Sequence, residues 1–285
     1  MSKIIVTCDS TCDLTPELYA KYEIHPMALS IYLGEKAYRD QVDVTVKDLF
    51  AYADREKQLP RTTAVSVGEY IDFFSAYRQT GKEVVHISLS HGFSSCYQNA
   101  TIAAGEVGGV YVVDSLNLSS GSGHLAILAA ELGEQGLDAA EVAAELDEAR
   151  TRLDVSFVLQ TLEYLKMGGR CSGVAALGAN LLRLRPEILV TGEGTMVVGK
   201  KYRGDLKRSV TDYIKGRLQG RNDLQLNRIF ITYSDGIPDE AIEEFKALVA
   251  SLQPFEEILT TNAGCTIASH CGPQCLGVLF FRKKA

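Results

Sequence analysis

The sequence predicts an α/β protein of two domains, a parallel-sheet α/β domain over residues 1–155 and an α/β domain with a largely antiparallel sheet over residues 156–285. Three observations carry that prediction. Short apolar runs alternate with helix-like stretches through the first 150 residues, as buried strands joined by crossover helices do. Past residue 155 the rhythm changes, and Ile188-Leu189-Val190-Thr191 and Met196-Val197-Val198-Gly199 flank a Gly-Glu-Gly turn, which reads as an antiparallel hairpin. The length, 285 residues, is long for one core and comfortable for two.

In chain order, the apolar run 4–6 ends at Asp9-Ser10-Thr11-Cys12-Asp13, after which Thr15 caps a helix with Pro16 in its first turn. Residues 24–31 read as a second extended run and 38–43 as a loop. Capping boxes from Thr45 to Asp48 and from Ser66 to Glu69 open two helices, and in the second Tyr70, Ile71, Phe73, Phe74 and Tyr77 share one side. Between them, 59–64 is a hydroxyl-bearing connector, either an exposed turn or a functional loop. Strand 83–89 leads through Ser90-His91-Gly92-Phe93-Ser94-Ser95-Cys96-Tyr97 into a small-residue helix. Strand 109–115 leads through a long polar loop to an alanine-rich helix over about 125–132, and a further helix covers 138–153. In the second half, 156–161 reads as a strand, and a short helix breaks at Met167-Gly168-Gly169-Arg170-Cys171-Ser172. A helix over about 174–184 stops before Pro186, helices near 205–218 and 238–252 flank strand 229–233, and 276–281 is the last strand.

Hydrophobic residues make up 46% and charged residues 23%, enough apolar material for sizeable cores and a composition that argues against disorder. A net charge of −7 argues against a polyanion-binding surface, so no nucleic-acid partner is expected. The apolar run at the start is too short for a signal-peptide core and no run of about 18 apolar residues follows, so the expected location is cytoplasmic, with at most transient membrane contact. Seven cysteines without a secretory signal imply reduced thiols. Cys8/Cys12 and Cys271/Cys275 each enclose three residues, with His270 beside the second pair; that spacing does not suit a zinc knuckle. They read as buried small hydrophobes, with no metal and no cofactor expected.

The loop 90–97 sits where a strand ends and a helix begins, the place where free backbone N–H groups and a positive helix end favour anions. Hydroxyls of Ser90, Ser94 and Ser95, with His91 beside them, could hold a carboxylate or phosphate; a plain serine N-cap would also place serine there. Gly121-Ser122-Gly123-His124-Leu125-Ala126 formally matches G-x-G-x-x-A, but it stands well beyond the end of strand 109–115 and lacks the acidic partner of a dinucleotide site. A serine hydrolase would cast Ser94 as nucleophile, His270 or His91 as base and Asp9 or Asp114 as orienter, although no G-x-S-x-G elbow is present. A small polar-ligand module is a third reading.

Taken in order, Asp9-Ser10-Thr11-Cys12-Asp13-Leu14, Thr62-Thr63 after Pro60, Phe93-Ser94-Ser95-Cys96-Tyr97-Gln98, Asp114-Ser115, Leu162-Glu163-Tyr164-Leu165-Lys166-Met167-Gly168-Gly169-Arg170 and Ser269-His270-Cys271-Gly272-Pro273 resemble the DegV family, the fatty-acid-binding acyl carriers of bacterial fatty acid kinase. The resemblance spans nearly the whole chain. It implies one long-chain fatty acid bound between two domains, its carboxylate held by Thr62 or Thr63, Ser94 and His270, with Ser95 in the same loop and Arg170 at the head group or at the surface facing the kinase. His91 and Ser10 are further candidates, and residues 174–184 and 188–190 are candidate tunnel walls or ordinary core. The chain departs from the family pattern at Ser95, where glycine is usual, at Ala64-Val65 in place of glutamine-proline, and at Gln274 after Pro273.

Overall fold

The computed structural model describes residues 3–170 and 184–284. The first half contains β1 (Ile4–Asp9), α1 (Pro16–Lys21), β2 (Ile24–Met27), β3 (Ser30–Leu33), β4 (Lys36–Arg39), α2 (Val46–Glu56), β5 (Arg61–Thr63), α3 (Val67–Arg78), β6 (Glu83–Ser88), α4 (Cys96–Val107), β7 (Val110–Asp114), α5 (Ser119–Glu134) and α6 (Ala139–Ala149). There follow β8 (Leu153–Val158), α7 (Glu163–Met167), β9 (Leu184–Val190), β10 (Met196–Arg203), α8 (Leu206–Leu218), β11 (Leu224–Tyr233), α9 (Asp239–Leu252), β12 (Glu257–Asn262), α10 (Cys265–Cys271) and β13 (Leu276–Arg282).

The expected parallel sheet is present, with strand order β2-β1-β6-β7 and every pairing parallel. Its strands are nearly continuous apolar runs because both faces are covered. Ile4, Val6, Val85 and Ile87 pack towards α5 and α6, while Val84 packs with Tyr70 and Phe74 of α3 and Ala100 of α4. Both expected capping boxes form, Thr45 with Asp48 and Ser66 with Glu69, and a third joins Asp138 to Glu141.

The second sheet has the order β10-β9-β8-β13-β11-β12, antiparallel except where β11 pairs β12. One face packs on α8 and α9 through Ile229, Ile231, Val278 and Phe280. The other meets α5, which lies between the two sheets and is buried from Ser119 through Ile127. A helix enclosed on both sides must be narrow, which explains its serine, glycine and alanine content. His124 in this helix makes a 2.9 Å hydrogen bond to the Leu279 carbonyl, and burial lowers its pKa to about 3.

Several elements differ from the sequence reading. The extended run 24–31 is two strands in different sheets: β2 joins the parallel sheet, and β3 is the centre of a small antiparallel sheet ordered β4-β3-β5. The connector 59–64 therefore contains a strand, with Thr62 opposite Ile31. The polar loop after β7 is already helical at Ser119, so Gly121-Ser122-Gly123 lies inside a buried helix. The strand expected at 156–161 runs from Leu153 to Val158, and the expected helix ending at 153 gives way at Ala149. The candidate wall 174–184, Cys171 and Ser172 lie outside the described residues, except Leu184, which begins β9. Among the described residues no helix is long and apolar enough to cross a membrane.

Candidate functional site

The cavity face of the second sheet is read directly from its register. Thr232 pairs Gly277, which pairs Phe157, and one step along the strands Phe230 pairs Leu279, which pairs Val155. Side chains two residues apart share a face, so Val155, Phe157 and Leu279 all turn one way. Gly277 stands between them with no side chain. Over this face lies a cavity enclosing about 880 Å³ of empty space, its open mouth included. Leu29, Leu89, Phe93, Leu118 and Ile267 form much of the opposite, apolar wall.

The polar groups of the cavity fall into separate small sets. Thr62 Oγ1 lies 2.9 Å from His270 Nε2; Arg170 donates to the carbonyls of Gly168 at 2.7 Å and Phe93 at 3.3 Å; Ser94 follows Phe93. Among the described residues no carboxylate pairs with the Arg170 guanidinium. Burial, with the Arg170 charge adding to it, lowers the His270 pKa to about 4, so the imidazole is neutral at pH 7. Its Nδ1 is buried without a hydrogen-bond partner among the described residues. Among the described residues the site thus has one cation, one neutral imidazole and several hydroxyls, a set suited to an anion with an apolar body.

Two neighbouring segments lock this arrangement by close approach. A Cβ on Gly168 would lie 2.2 Å from His270 Nδ1, so only glycine lets the chain pass behind the imidazole. Gly272 has φ 73°, and a Cβ there would lie 2.6 Å from the Tyr164 ring. The Tyr164 to Arg170 segment and the His270 to Pro273 segment are therefore fitted to each other, which explains why both carry glycine beside their polar residues.

At its other end α10 is held by two buried acids. Asp40 accepts from the Cys265 N–H at 2.9 Å, Thr266 Oγ1 at 2.7 Å and Ser10 Oγ at 2.9 Å. Asp13 accepts from the Gly264 N–H at 2.9 Å and Ser119 Oγ at 2.6 Å. Burial raises the pKa of both, Asp13 the more strongly, with the Asp40 charge adding to it. Neither acid was singled out as a site residue in the sequence, although Asp13 belongs to the Asp9 to Leu14 motif; its signal is an acid in a polar stretch that turns out to be buried.

Of the residues expected at a ligand site, Thr62, Thr63, Ser94, Arg170 and His270 line the cavity. Ser94 also caps its own helix: its Oγ accepts from the Cys96 N–H at 3.2 Å and contacts the Cys96 sulfur. Ser95 is exposed at the start of α4, outside the lining, and its φ of −79° needs no glycine. His91 also lies outside the lining, with its side chain 56% exposed and its Nδ1 2.6 Å from Asp114 Oδ2. Ser10 is buried beneath the site, bonding Asp40 and the Leu29 N–H. Sequence reasoning did not reach Thr232, Ser234, Thr266 and Ile267, which also line the cavity. Thr266 had a helical signal, four residues before His270.

Of the hydrolase constellation only the His91–Asp114 pair is assembled, with no serine nucleophile joined to it among the described residues. His270 Nε2 faces Thr62, and no hydrogen bond joins Ser94 to His270 or His91 among the described residues. Asp9 is engaged with Tyr70, Ser88 and the Leu89 N–H, and Asp114 with His91. Six described cysteines are buried and free, and among the described residues no group of three or more His, Cys, Asp or Glu side chains could hold a metal ion.

A family model described as "Uncharacterised protein, DegV family COG1307" matches residues 3–283. A DegV domain-containing protein of Clostridium acetobutylicum is 31% identical, the match covering 99% of this chain and 100% of the relative. A DegV-family protein from Thermus thermophilus, described as binding fatty acid, has a similar structure, with a TM-score of 0.85 at 29% identity over 99% of this chain and 100% of that one. A stearic-acid-binding protein from Eubacterium ventriosum also gives a TM-score of 0.85 at 29% identity, covering 99% of each chain.

Proposed function

Because the chain belongs to the DegV family, we propose that it binds one long-chain fatty acid in the cavity and presents the carboxylate to a separate fatty acid kinase, which makes the acyl phosphate. In this reading the protein works in the cytoplasm as a carrier and the chemistry belongs to its partner. Residues 1–155 form the domain that supplies Thr62, Thr63 and Ser94 to the head group, and 156–285 form the domain that lines the acyl tunnel and supplies Arg170 and His270.

The observation that carries the proposal is the Arg170 guanidinium, without a carboxylate partner among the described residues, at a largely apolar cavity that also carries hydroxyls and an imidazole. A fatty acid fits both halves of that description. Its carboxylate gains a charge partner and hydroxyl donors, without which burial would be prohibitive. A tail of about 16 carbons at about 0.8 kcal/mol per methylene would contribute roughly 10 kcal/mol before ordering costs. The tail then dominates affinity and the head group sets orientation.

Mass spectrometry of the denatured, freshly purified protein should detect a co-purified acyl chain, and delipidated protein should bind palmitate stoichiometrically. Loaded protein mixed with a fatty acid kinase and ATP should yield acyl phosphate, and Arg170→Gln or His270→Ala should reduce it. Absence of both co-purified lipid and binding would sink the carrier reading; binding without acyl-phosphate formation would remove only the kinase partnership.

A further inference from the structure

Three hydroxyls that border the cavity, those of Ser119, Thr232 and Thr266, make no hydrogen bond to Thr62, His270 or Arg170 among the described residues. Register places Thr232 on the cavity face of the second sheet, in the row Thr232, Gly277, Phe157 beside the row Phe230, Leu279, Val155. It is the one polar side chain of those two rows, and Gly277, directly opposite on β13, has no side chain to cover it. Thr232 Oγ1 contacts Ser120 Oγ of α5 and lies 2.8 Å from Thr261 Oγ1 on β12. Ser119 Oγ donates to Asp13 at 2.6 Å and Thr266 Oγ1 donates to Asp40 at 2.7 Å. These two acids also hold the successive Gly264 and Cys265 N–H groups. His270 of the head-group region stands one helical turn, about 6 Å, past Thr266 on α10.

We propose that this second polar set is a subsite for a hydroxyl carried on the acyl chain, with Thr232 as its principal contact, so that the cavity takes hydroxy fatty acids in preference to plain ones. The proposal rests on the fatty-acid reading above and refines its substrate class. A hydroxyl has one hydrogen to give and two lone pairs to fill. Ser119 and Thr266 each use one of these three positions and Thr232 uses two, so every one of them is partnered and every one keeps room for a further bond. A plain methylene chain lying here strands no polar group. A hydroxyl on the chain loses its water on entering the cavity; against Val155, Phe157 and Leu279 nothing replaces that water, whereas at Thr232 a partner is waiting. The contact between Ser120 and Thr232 also ties α5 to the second sheet, but a purely structural tie makes no distinction between ligands. Selectivity is therefore the decisive readout.

The test titrates delipidated full-length protein, by calorimetry, with stearate and with hydroxystearates carrying the hydroxyl at carbon 3, 10 or 12. At least one isomer should bind about fivefold more tightly than stearate, the effect of one net neutral hydrogen bond. Thr232→Val should bring that ratio to about one, and Thr232→Ser, which keeps the hydroxyl, should preserve it. A crystal structure of the favoured complex should place the ligand hydroxyl within hydrogen-bonding distance of Thr232 Oγ1, which decides the assignment even if Thr232→Val fails to fold. Stearate binding with no isomer favoured overturns this proposal and leaves the fatty-acid reading standing, whereas binding of none of the ligands overturns both. A preference that survives in folded Thr232→Val, or a ligand hydroxyl that lies away from Thr232 in the crystal, also overturns it, because the hydroxyl is then met elsewhere.

Discussion

Two segments border the cavity, and they use their polar residues in opposite ways. The loop 90–97 is dense with hydroxyls and a histidine, yet most of these are consumed locally: Ser90 bonds the Gly194 carbonyl, His91 bonds Asp114, and Ser94 caps α4. The segment 264–275 has fewer obvious functional groups, yet Thr266, Ile267, His270, Cys271 and Cys275 all reach the cavity. The first closes a strand–helix junction, where exposed backbone groups need partners. The second is anchored elsewhere, by Asp13 and Asp40 at the start of its helix, and its far end borders the cavity. Density of chemically capable residues is therefore a poor guide to a site when the backbone has first claim on them.

The contrast is tested most severely at the anchor. Asp40→Ala strands the Ser10 hydroxyl, the Thr266 hydroxyl and the Cys265 N–H together, and at about 1–3 kcal/mol for each buried unpaired group the expected loss is roughly 3–9 kcal/mol. Urea unfolding reads it, and a loss below about 1 kcal/mol would show that the second wall does not depend on this cap.

Next in size is Gly168→Val, which drives a side chain into the His270 imidazole and should cost about 1–3 kcal/mol of stability. Calorimetric titration with palmitate should show a larger fractional loss of affinity than that of the first-wall variant His91→Ala, which should bind as the unaltered chain does.

An effect of similar size is expected from pH. The folded pKa of His270, about 4, lies below its ordinary 6.5, so between those values the unfolded chain holds a proton that the folded chain does not. This residue's contribution is therefore lost as pH falls from about 6.5 towards 4. His270→Gln should flatten the fall in melting temperature across that window. An unchanged slope would mean that His270 is not held neutral.

The smallest effect belongs to the first wall. Ser95→Gly, which restores the usual family residue at an exposed position with ordinary φ, should change stability by less than about 0.5 kcal/mol and leave palmitate affinity intact. A loss of affinity would place Ser95 at the ligand after all. Gln274 is the contrasting departure: its φ of 54° is one that glycine adopts freely, and its carbonyl and amide oxygens accept from Arg185 at 3.1 Å and 2.9 Å.

The parts of the fold legible in the sequence were those with local causes. Capping boxes at Thr45 and Ser66 mark helix starts because the bonds involved span three residues, and the apolar run 83–89 marks a strand because both sheet faces must be covered. The small sheet β4-β3-β5 was not legible, since its strands are three or four residues long and depend on one another for pairing. The start of α5 was misread for a related reason: serine and glycine are poor helix formers, and the close packing between two sheets that favours them here is a property of the fold.

The sequence by itself determined the class of fold, the order of its motifs and the residue types available for an anion with an apolar tail. Tertiary structure decided which of those residues meet. Thr62 and His270 are 208 positions apart and come within 2.9 Å only because β5 and α10 pack together. Whether a serine is a cap or a ligand, and whether a glycine marks a turn or makes room for an imidazole, depends on neighbours that strand register and helix packing bring in from elsewhere in the chain.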